Sequence, residues 1–287
     1  MDVVNTWWLN TQFVVTRLPF LFRLKLSSKK LITPAIALSL ETNSYEVKTA
    51  DTLEEIHQVL ALRFEVFFRE FSTHKLSISL FPYDIDLHDF HCDHLIVKEK
   101  ASGRVVACYR LQASSVAKRG KRFYSEGEFD LDHFLQCSGE KVELGRACVH
   151  RDYRRGPVIS LLWKGLMSYA KKSGARYLFG CSSLTRGEFK NLPHVLAWLS
   201  QRGALLEDLR ISVQSEYSCQ GLPLQRELST GEELDPKAVS SLLGMYVMAG
   251  AKVSPEIAYD QEMDCLDLLT VIDLTQVPAS FERRFGA

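Results

Sequence analysis

Two ionisable side chains, Glu143 and Arg146, sit inside the apolar, strand-like run Val142-Glu-Leu-Gly-Arg-Ala-Cys-Val149. A carboxylate partly removed from water is driven towards its protonated form, which lifts its basicity towards the range a general base needs. The basic turn Arg151-Asp-Tyr-Arg-Arg155 follows directly, and a helical pattern opens at Pro157. A strand with buried charges, a cationic turn and a helix N-terminus together form a candidate anion and substrate site. The competing reading is a core strand with one internal ion pair, and the rest of the chain decides between them.

Upstream, Leu53, Ile56, Leu60, Phe64, Phe67 and Phe71 recur every three or four residues, a helical stripe running to about residue 70. Arg63 falls one turn from Phe67 on the same side. It is either an anchor for a carboxylate or phosphate, or a boundary arginine snorkelling over the aromatics. Phe81-Pro-Tyr-Asp-Ile-Asp-Leu-His-Asp-Phe-His-Cys-Asp-His94 then gathers Asp84, Asp86, Asp89 and Asp93 with three histidines. Residues three apart on an extended chain face different sides, and no second ligand pair stands at structural-zinc spacing. No metal is therefore expected here; an acidic lip that receives an ammonium group is. Arg110 stands near the end of the strand that follows.

Alternating elements must position these residues. A short strand over 45–49 precedes a helix whose start is marked by Thr52 and Glu55 at capping-box spacing. Runs over 94–99 and 104–112 read as a hairpin about Gly103. A loop from Phe123 leads into a short helix near 131–136. The strand over 142–149, a helix over 157–172 ended by Ser173-Gly174, and a strand over 176–183 give a parallel crossover. Helical segments over 192–201 and 237–249, a strand over 267–273 and a short tail over 281–285 complete the pattern. The prediction is one α/β domain over 45–287, a mixed sheet flanked by helices.

Composition narrows the function classes. Thirty-five Lys and Arg balance thirty-five Asp and Glu, a net charge of zero that argues against a nucleic-acid binder. Seven cysteines stand singly with no C-x-x-C pair, the pattern of reduced thiols in the cytoplasm. The first forty residues carry five basic residues against one acid, among Trp7, Trp8, Phe13 and Leu18-Pro-Phe-Leu-Phe22. The cations interrupt too soon for a spanning helix of ~20 apolar residues. They also follow the apolar run, whereas in a secretory signal they precede it. Residues 1–44 are expected to form a basic, aromatic extension that lies on the inner face of the cytoplasmic membrane, a peripheral association, or packs on the domain itself.

The order helix, acidic loop, hairpin, charged strand, basic turn, helix, strand resembles the GNAT fold of N-acyltransferases. Arg63-x-x-x-Phe67, the aspartates before the hairpin, Tyr109-Arg110-Leu111 and Glu143-x-x-Arg146 resemble the autoinducer (acyl-homoserine lactone) synthases. The chain is more similar still to bacterial ornithine-lipid N-acyltransferases, the lyso-ornithine lipid synthases. That likeness rests on Leu62-Arg-Phe-Glu-Val-Phe67, Cys92-Asp-His-Leu-Ile-Val97, Tyr124-Ser-Glu-Gly-Glu-Phe-Asp-Leu131, Glu143-Leu-Gly-Arg-Ala-Cys-Val149, Leu161-Leu-Trp-Lys-Gly165 and Tyr177-Leu-Phe-Gly-Cys-Ser182. It covers about residues 52–183. Two departures matter. No tryptophan occurs over 71–80, where the autoinducer enzymes carry one beside S-adenosylmethionine. The turn Arg151-Asp-Tyr-Arg-Arg-Gly-Pro157 has one glycine and too much side-chain bulk for the acetyl-CoA phosphate loop.

The resemblance implies an N-acyltransferase that moves a fatty or 3-hydroxy fatty acyl chain from acyl carrier protein to an amino acid. Ornithine is the default acceptor, the product is a lyso-lipid, and no cofactor is bound beyond the phosphopantetheine thioester of the donor. On this reading Glu143 is the general base, directly or through one water, and Arg146 orients it. Arg63 and Arg110 grip the amino-acid carboxylate, while Asp86, Asp89 and Asp93 receive its side-chain ammonium. Phe67 and Ser182 complete the substrate site. Arg151, Arg154 and Arg155 dock the phosphopantetheine and the acidic carrier. Two other readings stay open: N-acylation of glycine or another amine, and a non-catalytic acyl-binding protein of the same fold.

Overall fold

The computed structural model describes residues 32–70, 82–117, 122–206, 208–229 and 232–286. Strands Ser39–Glu41 (β1) and Tyr45–Thr49 (β2) lead into helix Leu53–Phe64 (α1). The Thr52 hydroxyl accepts from the Glu55 amide at 3.2 Å, and the Glu55 carboxylate accepts from the Asp51 amide. Donors that the first helical turn leaves orphaned are thereby satisfied. The expected continuation to Glu70 is present as a wider π-helix, Glu65–Glu70, a form often found beside functional sites.

The hairpin follows as Asp93–Glu99 (β3) and Val105–Ala113 (β4). Then come Phe129–Asp130 (β5), Asp132–Gln136 (α2), Glu140–Val149 (β6), Val158–Ser173 (α3) and Ala175–Thr185 (β7). Leu192–Gln201 (α4), Ser212–Val213 (β8), Ser241–Met248 (α5), Lys252–Asp260 (β9), Cys265–Asp273 (β10) and Ala279–Phe285 (α6) complete the chain. Among the described residues eight strands form one sheet in the order β1-β2-β3-β4-β6-β7-β10-β9. Only the β6–β7 pair is parallel, as the crossover through α3 requires. Gly174, at φ 68°, stops α3 in the left-handed conformation that glycine adopts without a Cβ penalty.

Alternation along the strands assigns the two faces. In β3, Leu95 and Val97 point to α3, where Trp163, Tyr169, Phe281 and Phe285 pack, and Ile96 points to α1 with Ile56, Val59 and Leu60. In β7, Leu178 joins the α3 side while Phe179 joins Phe123, Phe129 and Phe134 on the other. Ile36 and Leu38, in the segment expected to lie outside the domain, pack on its core. Residues 1–31 of that extension lie outside the described residues. No helix among the described residues is long and apolar enough to cross a membrane.

Candidate active site

A bulge in β6 decides where its side chains go. Cys108 faces Cys148 and Arg110 faces Gly145, so Arg146 and Ala147 together oppose Tyr109. Arg146 takes a left-handed backbone at φ 49°, which costs a non-glycine residue about 1 kcal/mol or more. The extra residue inverts the alternation. Leu144 and Ala147 both pack on the α3 side, while the Arg146 guanidinium reaches the acidic loop on the α1 side.

Three arginines meet three aspartates there. Arg63 is fully buried; its Nε donates to Asp84 at 2.7 Å, and its two terminal nitrogens clasp Asp89 at 2.6 and 3.2 Å. Arg110 Nη1 donates to Asp86 at 2.5 Å and to Asp89 at 3.3 Å. Arg146 Nη2 donates to Asp86 at 3.2 Å, while its Nε lies 3.2 Å from Asp84 without a hydrogen bond. The loop is shaped for this. Asp86 and Asp89 cap the 3-10 turn Leu87–Phe90 reciprocally, each carboxylate accepting a backbone amide at 2.8 Å.

Burial alone would raise the Asp86 and Asp89 carboxyls. Arg110 and Arg146 at Asp86, and Arg63 at Asp89, outweigh it and hold both below the usual carboxylate range. His94, 3.8 Å from Asp89, is pushed down by burial to about 4 and is neutral at physiological pH. The network as a whole carries no net charge. Among its three arginines Arg146 is the open one, with 15% of its side chain exposed against 0% for Arg63 and 4% for Arg110.

Glu143 does not pair with Arg146. Its carboxylate accepts the Tyr124 amide at 2.8 Å, the Ser125 amide at 2.7 Å and the Ser125 hydroxyl at 2.6 Å. These bonds fix the 3-10 turn Tyr124–Gly127 against the strand. The Tyr124 ring then lies under Arg146 and Arg110, whose guanidinium carbons stand 5.1 and 5.5 Å from its centre. Its hydroxyl reaches Asp260 at 3.3 Å.

Asp260 belongs to a second acidic group, with Glu128 and with Asp267 on β10. All three are buried, and among the described residues no ion pair ties them to a Lys, Arg or His. Burial, and then the Asp267 charge, push Glu128 up to about 9; burial raises Asp267 as well. Ser183 donates to Asp267 at 2.5 Å and the Cys181 thiol to Glu128 at 3.3 Å. One ligand atom from each of Glu128, Cys181 and Asp267 lies within 4.8 Å of the others, and the same holds for Asp260, Cys265 and Asp267. These residues could therefore hold a cation.

The sheet opens beside both groups. β6 and β7 pair only over Glu140–Glu143 and Ala175–Phe179; beyond that β6 follows β4 and β7 follows β10. The strands last touch at Gly180, where a Cβ would strike the Leu144 carbonyl oxygen. Leu144, Leu178, Phe179, Cys181, Tyr246 and Thr270 line the cleft. The Cys181 sulfur is 3.5 Å from the Ser125 hydroxyl, so the cleft, the Glu143–Ser125 pair and the acid cluster meet at one place.

Several residues expected in the site stand elsewhere. Asp93 accepts the Ala35 and Ile36 amides and the Tyr169 hydroxyl, so it pins the chain before β1 to α3 and does not face the acidic loop. Asp86 and Asp89 are saturated by arginines and offer no vacant lip for an ammonium. Phe67 packs with the apolar cluster under α1. Ser182 shares a 2.8 Å hydrogen bond with the Thr270 hydroxyl across β7–β10. Arg154 donates to the Val149 carbonyl and to Glu70, which ties the basic turn to the π-helix. Arg151 and Arg155 are exposed. Sequence reasoning placed Asp84 in the acidic loop without giving it a role, and it did not single out Tyr124, Ser125, Glu128, Asp260 or Asp267. The available signals were the segment Tyr124-Ser-Glu-Gly-Glu128, which carries part of the family likeness, and a lone Asp267 in the apolar run Cys265-Leu-Asp-Leu-Leu269.

The mixed sheet flanked by helices is a GNAT-like fold, and the acetyltransferase (GNAT) domain model matches residues 62–164, a span that holds the three arginines, the acidic loop and the bulged β6. An L-ornithine N(alpha)-acyltransferase of Rhodobacter capsulatus is 31% identical over 84% of this chain and 94% of its own. Its namesake in Rhizobium meliloti is 29% identical over 90% of each chain. The chain belongs to the L-ornithine N(alpha)-acyltransferase family and is an enzyme. Among solved structures, a CoA-dependent acyl-homoserine lactone synthase with MTA aligns at 15% identity, covering 82% of this chain and 83% of its own, with a TM-score of 0.47.

Proposed function

We propose that this enzyme acylates the α-amine of ornithine with a fatty or 3-hydroxy fatty acyl chain delivered as the thioester of acyl carrier protein. The supporting observation is that a partly exposed arginine, a carboxylate–hydroxyl pair and an apolar cleft converge where β6 and β7 part. The names of the relatives supply the acceptor. The thioester lies between the parted strands, and Arg146, partly freed from Asp86, takes the amino-acid carboxylate. The α-amine attacks the thioester carbon, forming the C–N bond and breaking C–S. Three donors already occupy Glu143, so the amine proton passes to the Ser125 oxygen while Ser125 gives its own proton to Glu143. Tyr246 lines the cleft, and burial pushes its hydroxyl up to about 12. It therefore keeps its proton at neutral pH and hydrogen-bonds the departing thiolate, which is protonated in the end by the proton that Glu143 took from the amine. Arg151 and Arg155 face the acidic carrier.

The test is turnover of purified protein with ornithine and the same acyl chain on acyl carrier protein or on coenzyme A, the amide being read by mass spectrometry. Product is expected from the carrier thioester. Glu143→Gln should lower kcat by about a hundredfold, and Ser125→Ala by a smaller factor. Near-normal turnover of folded Glu143→Gln removes the base role, and product from the coenzyme A thioester alone removes the carrier.

A further inference from the structure

The expected ammonium lip, Asp86 and Asp89, is occupied by arginines, which leaves the acceptor's second positive charge without a partner in that network. Glu128, Asp260 and Asp267 are the opposite case: three buried acids with no basic partner among the described residues. Oε1 of Glu128, in a residue only 1% exposed, is buried and no donor reaches it. A buried, unbonded carboxylate oxygen is costly unless a ligand completes it. Tyr124 joins this cluster to the arginines, with its ring under Arg146 and its hydroxyl on Asp260. We propose that Glu128, Asp260 and Asp267 bind the side-chain ammonium of a diamino-acid acceptor and set the preference for it over acceptors with neutral side chains. This rests on the reading of the enzyme as an amino-acid N-acyltransferase.

The geometry suits a zwitterion with a second amine. The carboxylate end faces Arg146, the side chain runs along the Tyr124 ring, and the terminal ammonium meets the acids. Around those acids stand Cys181, Cys265, Ser183 and Tyr124, none of them a cation. An ammonium donates up to three hydrogen bonds, enough to engage all three carboxylates. Because burial and the Asp267 charge keep Glu128 protonated at neutral pH, entry of the ammonium expels that proton.

Two measurements test this. The first compares kcat/KM for ornithine and for norvaline, which has the same chain length without the amine, in wild type, Glu128→Gln and Asp267→Asn. The wild-type preference for ornithine should collapse by about tenfold or more in each variant, the loss expected for a buried charge-assisted contact. An unchanged ratio overturns the proposal. The second needs no variant: calorimetry of each amino acid binding to wild type at pH 7 in buffers of different ionisation heat. Ornithine should release a proton and norvaline none; equal proton release overturns the subsite. Ornithine binding with proton release but without acylation by any donor supports the subsite and refutes the transferase reading instead. Purified protein carrying one equivalent of tightly bound divalent metal at these residues also overturns it.

Discussion

The residue that most clearly separates function from stability is Glu128. Its carboxyl is held up at about 9 by burial and by Asp267, whereas an unfolded glutamate titrates near ~4.3. Between those values the folded state binds more protons than the unfolded one, so stability falls as pH rises through the window. Below it the carboxyl is protonated in both states and costs nothing. Glu128→Gln should therefore raise the thermal midpoint by several degrees at pH 8, with the gain vanishing near pH 4. A midpoint at pH 8 equal to or below wild type would contradict the burial argument. The Arg63 network behaves oppositely. Asp86 and Asp89 are held down by arginines, so their contribution is present above the unfolded carboxylate pKa and lost only as pH falls through the lower folded values. Side-chain identities told which charges would be buried but not how they would pair. Glu143 and Arg146 read as partners three positions apart. The bulge sends Arg146 to the acidic loop and leaves Glu143 to backbone amides, an outcome set by strand register.

At the scale of elements, the opening between β6 and β7 depends on Gly180. Its missing Cβ lets the Leu144 carbonyl lie against β7 at the last point of contact. Gly180→Ala should push the strands apart, destabilising the fold by about 3 kcal/mol, measured as a denaturant midpoint shift with unchanged slope. A loss below about 0.5 kcal/mol would show that the contact relaxes freely. Elements with strong local signals were legible. The stripe from Leu53 to Phe67 marked α1, Ser173-Gly174 marked the end of α3, and the crossover followed from strand–helix–strand order. β9 was not legible, because Pro255 interrupts Lys252-Val-Ser-Pro-Glu-Ile257 and argues against a strand. β9 is the sheet edge, where a missing amide donor is tolerated, and its ladder shifts register between Leu268 and Thr270. The turn at Tyr124–Gly127 was equally opaque: it is held by Glu143, eighteen and nineteen residues further on.

Over the whole molecule, one face of the sheet carries a polar strip from Arg63 through Tyr124 to Asp267, and the cleft cuts in beside its centre. The opposite, α3 face is packed with Trp163, Tyr169 and Phe281. The sequence-level expectation of an N-acyltransferase rested on Arg63, Arg110, Glu143 and Arg146. Three of these four lie in one ion network and the fourth stands beside it through Tyr124. The central claim is that this constellation attaches an acyl chain to the α-amine of ornithine. It is tested most directly by expressing the chain in a host that makes no amino-acid lipids and fragmenting any new lipid in a mass spectrometer. The account predicts a lyso-lipid whose head group is ornithine acylated on its α-nitrogen, absent with Glu143→Gln. A new lipid with glycine or another amine as head group, or acylation on the side-chain nitrogen, would contradict it.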